Sequence, residues 1–453
     1  MIRAVNSLVR DQFRALTARW FALTVAALSV GLVPGLSLAQ EAPPVLEFSF
    51  SNPGARSMGL GGAFVALADD ATAAFANPAG LVQLVRPEIS IELRQRKYST
   101  PYTEGGRAAG SPTGWGIDTV DGIRTSFSDE TTSGVSFLSF VYPGTRWSLS
   151  LYRHQLAEFR IRTEINGLFG DVQEGEIRRY EDQVTVTELD IVGTGLAGAY
   201  QVSDSLSVGI GLSYFSGRIE NQGEVYGLDN FPETLFEANS FRPDRLHVIS
   251  TFDADDWYLG LNLGFLWNFA DDWRLGGVYR QGPQLDYELY NRAGPFNVAP
   301  EGSVLASVTD RAIAFPDVWG LGVAYRSPNG SLTIGFEWDR VEYSMILETL
   351  DSEQVDTTDV GMDDADELHL GFEYVFMQTS PLIAVRAGLW RDPDHRIRYE
   401  GDDPFSQALY QPGEDLLHIS LGAGIAFKRF QIDIGADLAE AVDQFTVSAI
   451  FSF

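Results

Sequence analysis

The last ten residues of the chain alternate between two kinds of side chain, and this alternation most constrains the fold. In residues 444–453 one face carries mainly bulky apolar groups, and the other carries mainly small or polar ones. The bulky face consists of Phe445, Val447, Ala449, Phe451 and Phe453. A period of two is typical of a β-strand whose two faces meet different surroundings. The same pattern recurs along most of the chain, which predicts a transmembrane β-barrel with an apolar face toward lipid.

The N-terminus has the features of an export signal. Four arginines precede an apolar run from Trp20 to Leu38, and small residues flank a predicted cleavage site after Ala39. Residues 1–39 are therefore predicted to be a signal peptide. An uncleaved anchor helix is the alternative, and Gly31 and Pro34 within the run disfavour it. Export and the strand pattern together predict the outer membrane of a Gram-negative-type bacterium.

Composition excludes several other classes of protein. The chain has no cysteine, which rules out disulfides and thiolate metal sites. A formal net charge of −30 excludes a basic surface for nucleic acid. Hydrophobic residues make up 45%, close to a soluble average, so long membrane helices are not expected in the mature chain. The 45 glycines and 12% aromatic residues suit a barrel with aromatic girdles and a crowded interior.

Alternation predicts about fourteen antiparallel strands in residues 87–453, an even number as single-chain barrels require. The predicted strands are 87–98, 134–142, 146–160, 184–202, 205–220, 257–269, 273–279, 319–325, 332–338, 366–377, 382–391, 415–427, 429–438 and 444–453. Short turns alternate with long acidic loops. That asymmetry is typical of barrels with periplasmic turns and external loops.

Charged residues in these strands share a face with glycine, serine and asparagine, so they are predicted to line the interior. A charge facing lipid at the bilayer midplane costs about 2–4 kcal/mol. The inward charges are Arg326, Glu337, Asp339, Glu373, Arg386, Asp433 and Asp437. A fourteen-strand barrel is too wide for wall side chains to fill, so it is predicted to be a pore or to contain a plug.

Residues 40–86 break the alternation and are predicted to form that plug. The segment is rich in alanine and glycine, and Gly59, Gly61 and Gly62 allow its backbone to pack closely against a wall. Residues 63–67 are compatible with a short helix, and Asn77-Pro78 indicates a turn. A compact segment of small residues before the first strand can fit inside the lumen.

Two motifs in this segment resemble a known family. Residues 59–70 read Gly-x-Gly-Gly-Ala-x-x-Ala-x-Ala-Asp-Asp, and residues 76–81 read Ala-Asn-Pro-Ala-Gly-Leu. They resemble the N-terminal hatch of the FadL family of outer-membrane hydrophobic-compound transporters. The resemblance implies that a hatch blocks a fourteen-strand barrel, that hydrophobic ligands bind from outside, and that a kinked early strand gives a lateral exit. The hatch residues it implies are Gly59, Gly61, Gly62, Asn77, Pro78 and Ala79.

The predicted function is passive transport of hydrophobic or amphipathic small molecules, such as long-chain fatty acids. A ligand carboxylate would be stabilised by a lumen arginine through charge-assisted hydrogen bonds. The candidates are Arg280, Arg326 and Arg386. The alternative role for these arginines is pairing with lumen acids such as Glu337 or Glu373, because buried charges are usually paired.

The sequence is also compatible with three other functions. The same hatch segment also resembles PorV-like proteins, which implies a secretion or assembly partner that binds protein cargo. An open polar porin is the second. The third is a lipid-acting enzyme, since His418 and Ser420 share a strand face at a spacing that resembles that of outer-membrane lipid deacylases. Catalysis would need a base within reach of the serine. We predict that the chain is not an enzyme.

No metal or cofactor is predicted from spacing. Residues 193–198 match a dinucleotide fingerprint but lie in a strand, without the helix that would hold pyrophosphate. Acidic segments 253–256 and 363–367 lack the glycine and terminal glutamate of a calcium loop, and their charges are predicted to lie in solvated loops.

Besides a hydrophobic ligand, the predicted partners are outer-membrane lipid and the barrel-assembly machinery, with Phe453 as the insertion signal.

Overall fold

The structure is a computed structural model that describes residues 50, 52–173, 176–227, 235–238, 241–293, 304–349 and 359–453. The predicted signal peptide and residues 40–49 of the predicted plug lie outside these ranges. Fourteen antiparallel strands form a closed barrel around the segment 52–86. The all-β barrel with an N-terminal plug is thereby confirmed.

The barrel strands follow one another around the wall in chain order. They are β1 (Glu88–Arg107), β2 (Ile123–Pro143), β3 (Trp147–Ile165), β4 (Asp182–Gln201), β5 (Leu206–Tyr226), β6 (Leu246–Ala270), β7 (Trp273–Arg280 and Gln284–Ala293), β8 (Val304–Ala314 and Val318–Arg326), β9 (Leu332–Val341), β10 (Ala365–Phe376), β11 (Leu382–Asp392), β12 (Leu416–Ala426), β13 (Phe430–Leu438) and β14 (Val442–Ser452). Strand β14 pairs with β1 from Ser452↔Glu88 to Val442↔Tyr98, which closes the barrel.

The outer face carries the predicted apolar belt. On β14, Phe445, Val447 and Phe451 are 41–48% exposed, whereas Thr446 and Ser448 on the other face are buried. Similar outward apolar side chains occur on neighbouring strands, more than a water-soluble surface carries. Lipid contact explains this arrangement, because inner and outer residues alternate along every strand of a membrane barrel.

Several strands are longer than predicted at one end of the barrel. Strand β1 continues to Arg107 rather than 98, and β2 begins at Ile123 rather than 134. Beyond the apolar belt both faces of these strands carry polar residues, so backbone pairing continues after the alternation has ended. We call this the loop end, and the opposite end, where turns such as 271–272 are tight, the short-turn end.

The loop end also carries the smaller elements. Two short helices lie there, α3 (Ser344–Thr349) and α4 (Pro404–Leu409), together with a hairpin of Leu168–Gln173 and Glu176–Arg179 and a pairing of Val360–Gly361 with Arg398–Tyr399. In the plug, α1 is Ala55–Gly59, α2 is Ala73–Ala76, and a 3₁₀-helix covers Pro78–Gln83. Among the described helices, none combines the length and apolar character needed to cross a membrane.

One predicted plug helix is wrong. Residues 63–67 contain only a single turn, in which the N–H groups of Leu67 and Ala68 donate to the carbonyl of Phe64 at 2.9 Å, and Ala68, with φ of 34°, ends it. The N–H groups of Phe64 and Val65 at its start donate to Glu337 of the wall, at 2.6 Å each. Gly61 and Gly62, with φ of 62° and 83°, end α1 and redirect the chain toward that carboxylate.

Candidate functional site

Glycines on the inner wall let the plug approach the barrel at backbone distance. A Cβ placed on Gly388 would lie 2.2 Å from the nitrogen of Gly61, and one on Gly264 would lie 2.1 Å from Asn77 Oδ1. Side chains cannot occupy such positions without moving the plug. Within the described ranges, each strand from β5 to β13 contributes one such residue, a set that we call the glycine belt: Gly209, Gly264, Gly276, Gly322, Gly335, Gly371, Gly388, Gly422 and Gly435.

The Asn-Pro-Ala motif fastens the plug to itself and to the wall. Asn77 is fully buried, and its Nδ2 donates to the carbonyls of Val65, at 2.9 Å, and Phe265 of β6, at 3.0 Å. Its Oδ1 accepts from the Ala79 N–H, which caps the 3₁₀-helix. Pro78 occupies the first position of that helix, where its missing N–H costs nothing. Ala79 faces Gly209, the β5 member of the glycine belt.

The glycine motif meets an imidazole of the wall. His369 Nδ1 on β10 lies 2.7 Å from the carbonyl oxygen of Gly61. A Cβ on Gly62 would come within 2.8 Å of the same nitrogen, and one on Gly59 would meet Gly422 at 2.9 Å. These three glycines therefore permit contacts that no other residue type would allow.

A buried charge network joins the plug to three wall strands. Glu373 of β10 accepts from Arg56 of α1 at 2.8 and 2.9 Å, and from Arg386 of β11 at 2.7 Å. Arg386 also donates to Asp433 of β13 at 2.8 Å. All four side chains are nine-tenths or more buried. Buried charges that are paired and hydrogen-bonded in this way become costly when one partner is removed.

Asp69 of the plug extends this network to β8. Its carboxylate pairs with Arg56 and accepts from Arg326 Nη2 at 2.6 Å. Burial alone would raise the pKa of Asp69, but the two guanidinium groups outweigh burial and hold that pKa well below its usual value. The contribution of Asp69 to plug docking is therefore present at neutral pH and is lost only as strong acid protonates the carboxylate.

The three arginines proposed as ligand anchors all have polar partners in the lumen. Arg326 and Arg386 make the carboxylate contacts given above. Arg280 Nη1 donates to Asn52 Oδ1 at 2.7 Å, and its Nη2 lies 3.6 Å from Asp339 Oδ2. These contacts fit the alternative role of the three arginines, which is to pair with polar groups inside the lumen. Ligand binding by these residues stays a prediction.

Above the plug, toward the loop end, the inner wall is apolar. Phe75 of α2 packs against Tyr152 and His154 of β3, with ring centroids 6.2 and 4.2 Å apart, and forms the floor of this region. A group of buried apolar side chains begins immediately above it, which we call the apolar tier: Leu156, Phe159, Ile161, Leu189, Ile191, Phe215, Ile219, Tyr258 and Leu285. The predicted polar lumen is therefore interrupted by this tier, and buried polar pairs such as Thr187 with Asn221 and Ser250 with Asn291 recur nearer the loop end.

The wall is interrupted between β2 and β3 beside this tier. The two strands pair only from Phe137↔His154 to Pro143↔Ser148. Toward the loop end, β2 continues to pair with β1, and β3 continues to pair with β4. We call the unpaired stretch the lateral seam. One extra residue on each strand, Ser136 on β2 and Leu156 on β3, shifts the register with β1 and β4 at the start of the seam, and bulges of this kind bend strands out of a sheet.

Side chains satisfy part of the backbone that the lateral seam leaves unpaired. The Tyr98 hydroxyl of β1 accepts from the Arg160 N–H at 2.7 Å and is 3.0 Å from the Arg160 carbonyl. Arg153 donates to the carbonyl of Val135 at 2.6 Å. A cavity of about 190 Å³ lies in the seam, lined on the β2 side by 132–136, on the β3 side by 153 and 155–158, and also by Arg94 and Arg96 of β1 and Gln444 of β14. Its β3 lining includes Leu156 of the apolar tier.

His418 and Ser420 do not form a nucleophile and base. Both side chains contact Asp437: the Ser420 hydroxyl donates to Oδ1, and His418 Nδ1 lies 2.7 Å from Oδ2. Trp390 donates to the same carboxylate at 3.0 Å. The imidazole thus faces the acid rather than the serine, so the contact that activates a serine nucleophile is missing.

The prediction that the charges of residues 363–367 lie in a solvated loop is wrong for Glu367. It lies on β10, faces the lumen and is 7% exposed, close to Asp339 and His369. The prediction was wrong because the last residues of this acidic run begin a strand, in which alternate side chains face the lumen.

Phe453 is 51% exposed beside Phe451, and its N–H donates to the carbonyl of Pro87 at 3.0 Å. Its role as an insertion signal stays a prediction.

Known proteins share this architecture. The P. aeruginosa FadL homologue is 15% identical, with a TM-score of 0.57 over 90% of this chain and 99% of that one. The P. putida toluene transporter TodX is 13% identical, with a TM-score of 0.55 over 89% and 99%. A long-chain fatty acid transport protein of Escherichia coli O6:H1 is 24% identical over 279 residues, 55% of this chain and 59% of that relative.

These relatives give no support to a PorV-like secretion partner. A family profile described as outer membrane protein transport protein (OMPP1/FadL/TodX) matches residues 176–439, more than half of the chain. The match lies within the barrel and does not include the hatch motifs. Together with the fold and the plugged lumen, it shows that the chain belongs to the FadL/TodX family of outer-membrane transport proteins.

Proposed function

We propose that this protein carries hydrophobic or amphipathic small molecules from outside the cell into the outer membrane, without an energy source and without chemical conversion. The observation that carries the proposal is the lateral seam between β2 and β3, which begins where the apolar tier begins. A hydrophobic solute that enters at the loop end meets apolar side chains, then the buried plug, and then a break in the wall.

The side route suits the solute better than the straight route. Below the apolar tier the path is closed by the plug and by buried charges such as Glu373 and Arg386, where an apolar molecule would displace hydrogen-bonded groups. Through the lateral seam it would pass Leu156 and Ala157 and then reach lipid, beside the charged side chains of Arg94, Arg96 and Arg153, which line the same cavity. The names of the relatives, long-chain fatty acid and toluene transport, support the same chemical class.

Closing the lateral seam with a cross-link is expected to abolish uptake. Because the chain has no cysteine, Ser133→Cys with Glu158→Cys places the two thiols on opposite sides of the seam without background labelling. After treatment with a bis-maleimide, uptake of a labelled fatty acid or of toluene into proteoliposomes should fall at least about tenfold, since the exit is covalently bridged. The untreated double variant should transport like the wild type.

The matched control places the same cross-link on an intact part of the wall. Thr194 of β4 and Tyr214 of β5 are directly paired and face outward, so Thr194→Cys with Tyr214→Cys should cross-link without loss of uptake. Normal uptake through a cross-linked seam would refute the lateral exit. Passage of sugars through the wild-type protein would favour a porin, and retention of a protein cargo without solute uptake would favour a secretion partner.

A further inference from the structure

We infer that Asp339, Glu367 and His369 form a binding site for a divalent transition-metal ion on the inner wall of the barrel. Asp339 of β9 is directly paired with Glu367 of β10, and His369 lies two residues further along the same face. One ligand atom from each residue lies within 4.8 Å of the others. The three residues are 5–7% exposed, so their charges are shielded from bulk water.

The hydrogen bond of His369 to the plug sets the direction of the ring. Its Nδ1 lies 2.7 Å from the carbonyl oxygen of Gly61, and because a carbonyl only accepts, Nδ1 must carry hydrogen. In the neutral ring the lone pair is then on Nε2, which faces Glu367 Oε2 at 3.3 Å. A histidine that ligates a metal through one nitrogen usually donates its other N–H to a backbone carbonyl or carboxylate.

Hydrogen bonding within the protein leaves this group incompletely satisfied. Among the described residues, Asp339 Oδ1 and Glu367 Oε1 have no hydrogen-bond partner, and His369 Nε2 has only the Glu367 carboxylate, at 3.3 Å. The nearest cation, Arg280 Nη2, is 3.6 Å from Asp339 Oδ2, beyond a good hydrogen bond. A proton on His369 Nε2 would provide one donor for two carboxylates. A metal ion would satisfy all three side chains at once and offset the excess of buried negative charge.

The donor set indicates the class of ion. Calcium and magnesium prefer oxygen-only coordination, whereas one imidazole with two carboxylates suits zinc, manganese, iron or cobalt in their divalent forms. Three protein ligands leave at least one position open to water. Because His369 also holds Gly61, a bound ion would fix the ring that contacts the plug, and it would thereby link metal occupancy to plug docking.

Cobalt binding to the full-length protein in detergent tests the site. After treatment with a chelator and desalting, the protein should take up close to one Co²⁺ per chain, with visible absorption typical of nitrogen and oxygen ligands. X-ray absorption of the zinc form should show one imidazole nitrogen at about 2.0–2.1 Å. Glu367→Gln keeps the side-chain shape but removes a charged ligand, so we expect affinity to fall by at least about tenfold.

Two further variants keep the result interpretable. His418→Gln changes the neighbouring buried imidazole of the same wall and should leave cobalt binding unchanged. Asp339→Asn should weaken binding as Glu367→Gln does, and it serves if the glutamine variant fails to fold. Wild-type protein that retains well below one ion per chain would overturn the inference. Equal binding by the wild type and Glu367→Gln would also overturn it, because the ions would then be held by the acidic loops.

Discussion

Glu373→Gln is expected to open the barrel to ions. Glutamine keeps the shape of the side chain but removes the charge shared by Arg56 and Arg386, both of which are buried. Breaking a buried pair costs about 3–5 kcal/mol, and here the lower value applies because Asp69 and Asp433 remain as partners. A loss of about 3 kcal/mol from plug docking raises the undocked fraction about a hundredfold. Planar-bilayer recordings should show frequent open events that the wild type lacks.

Asp366→Asn is the matched control on the same strand. Asp366 faces outward and pairs with Arg340 in an ion pair whose side chains are 52% and 41% exposed. Exposed pairs contribute about 0–1 kcal/mol, so this variant should stay closed. If Glu373→Gln is equally silent, the charge network does not hold the plug. Equal leakage from both variants would instead indicate a general loss of barrel stability, which heat-dependent gel mobility would detect independently.

Strand number and facing were predictable because lipid imposes one rule on every strand. Where the outer face meets hydrocarbon its residues are apolar, so Phe445 and Val447 of β14 could be assigned to lipid from parity alone. The plug was predictable for the opposite reason: residues 52–86 lack alternation yet are rich in small residues that fit a lumen. Beyond the lipid-facing belt the alternation stops, so the sequence pattern predicts loops where β1 and β2 continue as strands.

The lateral seam was not predictable from single-strand patterns. The local signal is a one-residue shift of the alternation near Ser136 and Leu156, both of which are buried beside another buried residue. Such a shift resembles an irregular strand until the pairing of β2 with β3 is known. The resemblance to the FadL family implied a lateral exit, but the position of the exit depends on long-range pairing that no local sequence pattern specifies.

The metal cluster was missed because its ligands lie on two strands. Glu367 and His369 are two residues apart, a spacing that places both on one face, but Asp339 joins them only through the register of β9 with β10. Glu367 also ends an acidic run that reads as a loop. The glycine belt left a stronger signal, since inward glycines within strands are unfavourable unless another backbone approaches closely.

Gly388→Val is expected to displace the plug while leaving the wall folded. A Cβ at this position would lie 2.2 Å from the Gly61 nitrogen and 2.5 Å from the Leu60 carbonyl carbon, atoms that belong to backbone and cannot rotate away. Overpacking usually costs about 1–3 kcal/mol, and the upper end is expected here because the plug is also bound to the wall through Asn77 to Phe265 and through Phe64 to Glu337. Proteoliposomes containing the variant should swell in small sugars, which the wild type excludes.

Valine itself should not disrupt the strand, since it favours β structure more than glycine does. Gly198→Val provides the comparison: it faces outward on β4, and its nearest neighbour would be the flexible tip of Leu149 at 3.3 Å. This control should insert normally and remain sugar-tight. A sugar-tight Gly388→Val barrel would mean that the plug does not rest against the wall at backbone distance. The route through the lateral seam would then lose the closed floor that directs an apolar solute toward it.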